Sequence, residues 1–141
     1  MTQIVLPEHT TARGTIFGGQ VAAWIDICGA IAAQRFCRRQ VVTASIDELI
    51  FLHPIQRGHI AVFQAIVNAA WGSSMEVGVT VDGEDPLTGI RTRTSTATLT
   101  FVALNADGSR IPVPQLVPDT EGGKDREAEA NARRARRLRG G

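Results

Sequence analysis

Asp26 is the side chain in this sequence that most needs a chemical reason for being where it is. It sits inside GTIFGGQVAAWIDICGAIAAQRFCR (14–38), a stretch with no other charge between Gly14 and Arg35. Ala22, Ala23, Gly29 and Ala30 stand three and four positions away, so on a helix the carboxylate lies in a notch of small side chains. A mid-helix Asp has poor helix propensity, and enclosing it costs desolvation energy. One reading is an Asp on the wet side of the helix, where most charges are found. The other is a site carboxylate on an otherwise enclosed helix. Gly14, Gly18 and Gly19 open the same stretch, at the end of a helix where free backbone N–H groups can hold an oxyanion or a thioester carbonyl. Thr10, Thr11 and Arg13 lie in the loop just before it. A carboxylate and an oxyanion hole, with no metal, suit hydrolysis of an already activated acyl group.

Other chemistries find less support. His9, His53 and His59 belong to no nucleophile motif, and neither they nor the cysteines have metal-ligand spacing. GTIFGG is followed by no Gly-Lys-Ser/Thr and is not a phosphate loop. Cys28 and Cys37 fall nine residues apart on one helix, about 13 Å of rise, too far for a disulfide. They read as two reduced, partly buried thiols of a cytoplasmic protein.

The elements that must position Asp26 follow from periodicity. Val21, Trp24, Ile25, Cys28, Ile31, Ala32 and Phe36 recur at three- and four-residue steps and mark the apolar face of a long helix. TQIVL (2–6) reads as a short strand ended by Pro7. VVTASIDELIFLHP (41–54) is a strand with a bulge expected beyond Asp47-Glu48, and HIAVFQAIVNAAW (59–71) is another. Gly72-Ser73-Ser74 is a tight connection into an alternating strand through Met75, Val77, Val79 and Val81. IRTRTSTATLTFVAL (90–104) is the last strand, with Thr92, Thr94, Thr96, Thr98 and Thr100 on one face, and IPVPQLVP is an extended crossing segment outside the sheet. Strands at hairpin spacing give an antiparallel sheet, and the one long helix must cover its buried face. The class is α+β, with open sheet edges of the kind that a second copy hides.

With 141 residues, 43% of them hydrophobic and a net charge of +1, the chain fits one domain with a real core and shows no general affinity for nucleic acid or membrane. No apolar run reaches membrane-spanning length, and MTQIVLPEH has neither part of a signal peptide, so a cytoplasmic location is expected. Charge is uneven: residues 1–120 hold eight basic and ten acidic side chains, and 121–141 hold seven and four. The tail EGGKDREAEANARRARRLRGG has little to bury and reads as a basic, solvated helix or a partly disordered extension. Its arginines could attract polyanions.

GTIFGGQVAAWID, VVTASIDELIFLHPIQRG, GSSMEV, TFVAL and VPQLVPDTE, in that order, closely resemble the cytosolic acyl-CoA hydrolases of the hotdog fold over residues 5 to 121, and the basic tail is similar to that family's C-terminal extension. The resemblance implies a hotdog domain over 1–120 with a tail over 121–141, the five-stranded sheet wrapped around the helix. It implies a dimer with a continuous ten-stranded sheet, often a trimer of dimers, acting on fatty acyl-CoA. CoA is then part of the substrate, and neither a cofactor nor a metal is required. Asp26 falls on the family's catalytic acid at the dimer interface, as general base or as nucleophile, and Gly18 and Gly19 on its carbonyl-binding turn. Many members carry Asn where this chain has Thr11. In tandem two-domain members one half has Thr with Asp and the other Asn with Glu or Asp, and this chain is similar to the first. The rival reading is a non-catalytic acyl-CoA-binding or interaction module. Gly72, Ser73 and Ser74 are a plain hairpin by composition, but the resemblance sets them beside CoA, with Arg91 on the neighbouring strand as the phosphate partner.

Overall fold

The computed structural model describes residues 1–140. Its elements in chain order are β1 (Thr2–Ile4), α1 (Gly18–Cys37), β2 (Gln40–Phe51), β3 (Ile60–Trp71), β4 (Ser74–Glu84), β5 (Arg91–Leu104) and α2 (Glu121–Arg139). All strand pairs are antiparallel, in the order β1-β3-β4-β5-β2. This is the expected α+β hotdog architecture, a sheet curled around α1. The first strand is shorter than its sequence suggests. It pairs only Thr2 to Ile4 with β3, after which Val5 turns into the core and Pro7 begins a single 3-10 turn.

The face of α1 that meets the sheet carries Val21, Trp24, Ile25, Cys28, Gly29, Ala33 and Cys37. Ile31, expected on that face, is 38% exposed, while Ala32 and Phe36 pack only against the core's margin. The buried stripe passes instead through Gly29 and Ala33, because small residues let the helix approach the sheet closely. A Cβ on Gly29 would stand 3.1 Å from the Phe101 ring. Gly29→Val should therefore destabilise the fold by about 1–3 kcal/mol through overpacking, read as a lower urea midpoint with an unchanged slope. Trp24 closes the other end of this face, edge-on to Phe63 at 5.9 Å and to His9 at 4.8 Å.

Two of the four register shifts in the sheet bear on which side chains face where. The bulge expected in β2 is present: the register shifts between Asp47 and Ile50, and Glu48 takes φ +53°. A second shift, in β5 opposite Val81 and Asp82, breaks the threonine column. Thr96, Thr98 and Thr100 share the outer face, but Thr94 is buried, its hydroxyl donating to the Val81 carbonyl at 3.1 Å. The extra residue reverses the alternation that a sequence count assumes.

The outer face carries α2. Thr120 caps it, accepting from the Gly123 N–H at 2.9 Å, and Ala130 is fully buried. Arg133 grips Glu76 with two parallel bonds of 2.8 and 2.7 Å, and Asn68 adds a third to the same carboxylate at 3.0 Å. Hydrogen bonding to Glu76 holds the Arg133 guanidinium above its ordinary pKa against the opposing pull of desolvation. Arg137 meets Asp47 at 3.4 Å, so the helix crosses from β3 toward β2. Between β5 and α2, the Pro-punctuated segment closes the end of the sheet, with Ile111 N–H on the Ala103 carbonyl and Val113 N–H on the Gly72 carbonyl.

Candidate active site

Asp26 is half-buried on the flank of α1 that faces β2, and Thr43 Oγ donates to its Oδ1 at 2.6 Å. The helix supplies the notch: Ala22, Ala23 and Ala30 leave room above the carboxylate, and the buried Gly29 keeps this part of α1 close to β5. Thr43 sits in register with Phe101, whose ring packs under Gly29, so strand and helix fix the pair from both sides. Thr43 is a partner of Asp26 that sequence reasoning passed over. Its signal was the β-branched run of β2, which reads as strand propensity and says nothing of a partner seventeen residues earlier.

The N-terminus of α1 forms a second feature. Phe17 caps it in extended conformation without a side-chain cap, and the Gln20 N–H reaches back to the Phe17 carbonyl at 3.1 Å. The N–H groups of Gly18 and Gly19 find no acceptor among the described residues. They are the unpaired donors that every helix start presents. A cleft of about 370 Å³ opens in front of them, lined by Ile16, Gly18, Val21, Phe51, Leu52, His53 and Ser95 among others. A Cβ on Gly18 would stand 3.2 Å from Phe51 Cζ, a tight approach to the exposed end of that ring.

Eight residues separate Gly18 from Asp26, about 12 Å of helix rise. Thr11 lies in the preceding loop, its carbonyl accepting from the Gly14 N–H and its hydroxyl from the Arg13 N–H at 3.3 Å. It forms no hydrogen bond with Asp26 within the chain. Cys28 and Cys37 are free and buried, and burial pushes the Cys28 thiol pKa up, away from a reactive thiolate.

Gly72 and Ser73 form the two-residue loop of the β3–β4 hairpin, with Gly72 at φ +55° in the first position and Trp71 paired with Ser74. Ser74 Oγ donates to the Trp71 carbonyl at 3.1 Å. Arg91 is not near this turn. It pairs with Glu84 at the far end of β4, ten residues or about 33 Å from Ser74, and its guanidinium rests 3.4 Å from the Glu84 carboxylate. Neighbouring strands were read correctly, but antiparallel pairing puts the start of β5 beside the end of β4. A larger cavity, about 920 Å³, lies between the outer face and α2 and along the far flank of α1, lined by Asn68, Thr80, Arg126 and Arg133 among others. Asp26 lines neither cavity.

The thioesterase superfamily profile matches residues 13–90. The chain is 43% identical to YkhA of Bacillus subtilis, named as an uncharacterized acyl-CoA thioester hydrolase, over 120 residues, covering 85% of this chain and 70% of that one. It spans only 23% to 36% of the mouse, rat and human thioesterases that it also matches, such as mouse acyl-coenzyme A thioesterase 11 and the cytosolic acyl coenzyme A thioester hydrolases. An apo-hexameric acyl-CoA thioesterase superposes with a TM-score of 0.94 at 40% identity, covering 99% of this chain and 89% of the other. An acyl-CoA hydrolase from Staphylococcus aureus, solved with butyryl coenzyme A and coenzyme A, gives 0.88 at 36% identity, covering 99% and 88%. Alanine variants of that enzyme have been solved at an Asn, at an Asp fifteen positions later and at a Thr a further seventeen on. Thr11, Asp26 and Thr43 keep the same two intervals here.

Proposed function

This chain belongs to the thioesterase superfamily, and on that footing we propose that it hydrolyses acyl-CoA to CoA and the free acid at a site shared by two copies, with Asp26 as general base. The observation that carries this reading is the 2.6 Å bond from Thr43 to Asp26 Oδ1. It orients the carboxylate and leaves Oδ2 free to take a proton from water. The water oxygen attacks the thioester carbonyl carbon, and the carbonyl oxygen becomes an oxyanion held by N–H groups at a helix start. Collapse breaks the C–S bond, and the thiolate leaves with the proton that Asp26 took up. Only a carboxylate, a water and hydrogen-bond donors take part, and CoA enters as substrate.

Two copies are needed because of the 12 Å. Attacking water and oxyanion donors must each lie within roughly 3 Å of one carbonyl group. Asp26 and the Gly18–Gly19 amides of the same chain are too far apart for that. β2 is one free edge of the sheet; Val42, Ile46, Ile50 and Phe51 on it, and Leu52 just after it, are 41–53% exposed. An antiparallel β2–β2 pair lays the Phe51 end of one copy, with its Gly18 cleft, against the Thr43 end of the other. Ile27 on α1, 52% exposed, adds to the covered surface. Thr11 would then face the second copy's carboxylate and offer a hydroxyl where Asn offers an amide.

Light scattering should accordingly find a dimer or a larger even assembly at micromolar concentration, in keeping with the hexameric thioesterases among the structural relatives. Ile46→Lys should shift it toward monomer and abolish turnover together. A stable, active wild-type monomer would overturn the shared site. The cytosolic relatives in rat and human support a cytoplasmic place of action.

Thr11 in place of Asn favours the rival reading, binding without turnover. One assay separates the two: thiol release from acyl-CoA of graded chain length, beside calorimetry with the same ligands. Release at a measurable kcat supports the hydrolase, and binding without release makes the chain a carrier or sensor of acyl-CoA.

A further inference from the structure

Two buried hydrogen-bonding atoms on residues that line the larger cavity, Arg126 Nε and Asn68 Oδ1, have no partner among the described residues. We propose that this cavity is a second ligand site, outside the catalytic one, for a free aliphatic carboxylic acid, its carboxylate on Arg126 and its chain turned round the bare edge of β3. That such an acid is what the enzyme releases rests on the acyl-CoA reading above; the binding site stands without it.

The cavity draws its lining from both sides of the sheet. Gln64, Thr80 and Thr96 belong to the outer face and lie in one row, Gln64 opposite Thr80 and Thr80 opposite Thr96. Cys28, Ile31 and Ala32 belong to α1, which packs on the inner face. One space can touch both sets only by passing an edge of the sheet. β3 supplies that edge, because β1 pairs with it only from Ile60 to Val62. Ile66, beyond this cover, is 45% exposed, and Ile31 is 38% exposed. A hydrocarbon chain laid along the edge removes both from water.

The outer-face part is polar and hollow. Gly78 puts no side chain into it, and a Cβ there would stand 3.0 Å from Asn68 Nδ2. Arg126, Glu129 and Arg133 follow one another at three- and four-residue steps, so they share the flank of α2 that lines the cavity. Arg133 holds Glu76. Of the charged side chains in the lining, Arg35 and Arg126 then stand against Glu129 alone, an excess of one positive charge. Arg126 is also unlike a solvated surface arginine: its Nε–H is buried, and a buried donor bears its desolvation cost until an acceptor reaches it. A carboxylate is the acceptor that fits the edge of a guanidinium, and the Thr80 and Thr96 hydroxyls can donate to it as well. Asn68, 5% exposed, gives its amide N–H to Glu76 at 3.0 Å and keeps an acceptor on the cavity side. That acceptor turns a carboxylate away from Glu76 and toward Arg126, seven residues or about 10 Å along the helix from Arg133. The volume, about 920 Å³, is of the size that takes an organic ligand rather than a single bridging water.

Titration calorimetry with octanoate, and with octan-1-ol as the same chain without a charge, tests the site. Octanoate should bind the wild type, and Arg126→Gln should raise its Kd about tenfold, the scale of one hydrogen bond to a charged group. Octan-1-ol should bind both proteins with the same Kd. Arg126→Lys should recover part of the octanoate loss, and Ile66→Ser should weaken both ligands. In the absence of octanoate, Arg126→Gln should keep the wild-type kcat and KM for hexanoyl-CoA, as expected of a residue outside the catalytic groups. No octanoate binding to the wild type at millimolar concentration would overturn the proposal, and so would an equal Kd in Arg126→Gln or an equal loss of both ligands in that variant. If no thiol is released from hexanoyl-CoA, the hydrolase reading fails by itself, and the calorimetry still decides the cavity.

Discussion

Asp26→Asn should leave the fold intact and lower kcat for acyl-CoA hydrolysis by about a hundredfold or more, the scale on which a positioned general base acts. Asn keeps the shape of Asp, and its amide oxygen can still accept the Thr43 hydroxyl now donated at 2.6 Å. What disappears is the capacity to take a proton. KM should change little, because in the proposed mechanism the carboxylate works on water rather than on CoA. Thr43→Val makes the complementary change: the base stays but loses its orienting donor, and kcat should fall by a smaller factor, roughly tenfold, as expected of a positioning group. The two effects should not multiply in the double variant, since both act through one carboxylate. Steady-state kinetics with thiol detection, beside a matched thermal melt, measures all of this. Near-normal turnover in Asp26→Asn would move the base elsewhere on the α1–β2 flank.

The largest effect on stability is expected from Arg133→Met. Glu76 is 1% exposed and the Arg133 side chain 17%, and the pair is held by two bonds shorter than 3 Å. Removing the guanidinium strands a carboxylate under α2 with only the Asn68 amide beside it. Breaking a buried pair in this way typically costs about 3–5 kcal/mol. Met keeps most of the side-chain volume, so the loss is electrostatic rather than a cavity. Adding Glu76→Met should restore much of the stability, because the cost lies in the orphaned charge. A urea titration of the two single variants and the double variant tests the claim. A single variant as stable as the wild type would mean that the Glu76 site takes up water freely.

The sheet, the long helix and the placement of Asp26 were legible because each rests on a repeating pattern. Alternation marks β4 through Val77, Val79 and Val81, and the uncharged run between Gly14 and Arg35 isolates the carboxylate. What escaped has no periodic signal. Thr43 acts through a single bond across seventeen residues. The threonines of β5 change face at one unpaired residue, Thr94, which no count of alternating positions reveals. Arg91 was taken for a neighbour of Ser74 because adjacent strands were treated as adjacent residues, when the pairing runs antiparallel over their whole length. α2 shows no apolar stripe in its sequence. It docks through Arg133 on Glu76, Arg137 on Asp47 and Arg134 on Trp71, contacts that depend on acids and an indole far away in the chain.

The position of Trp71 has a spectroscopic consequence. The chain contains two tryptophans and no tyrosine, so its ultraviolet emission comes from two places only. Trp24 lies inside the core against His9 and Phe63 and reports whether the sheet and α1 are packed. Trp71 lies outside it, with its indole N–H on Asn131 and a guanidinium over its ring, and reports whether α2 is seated. Core melting and helix release therefore carry separate optical signatures in the unlabelled protein, one from each ring.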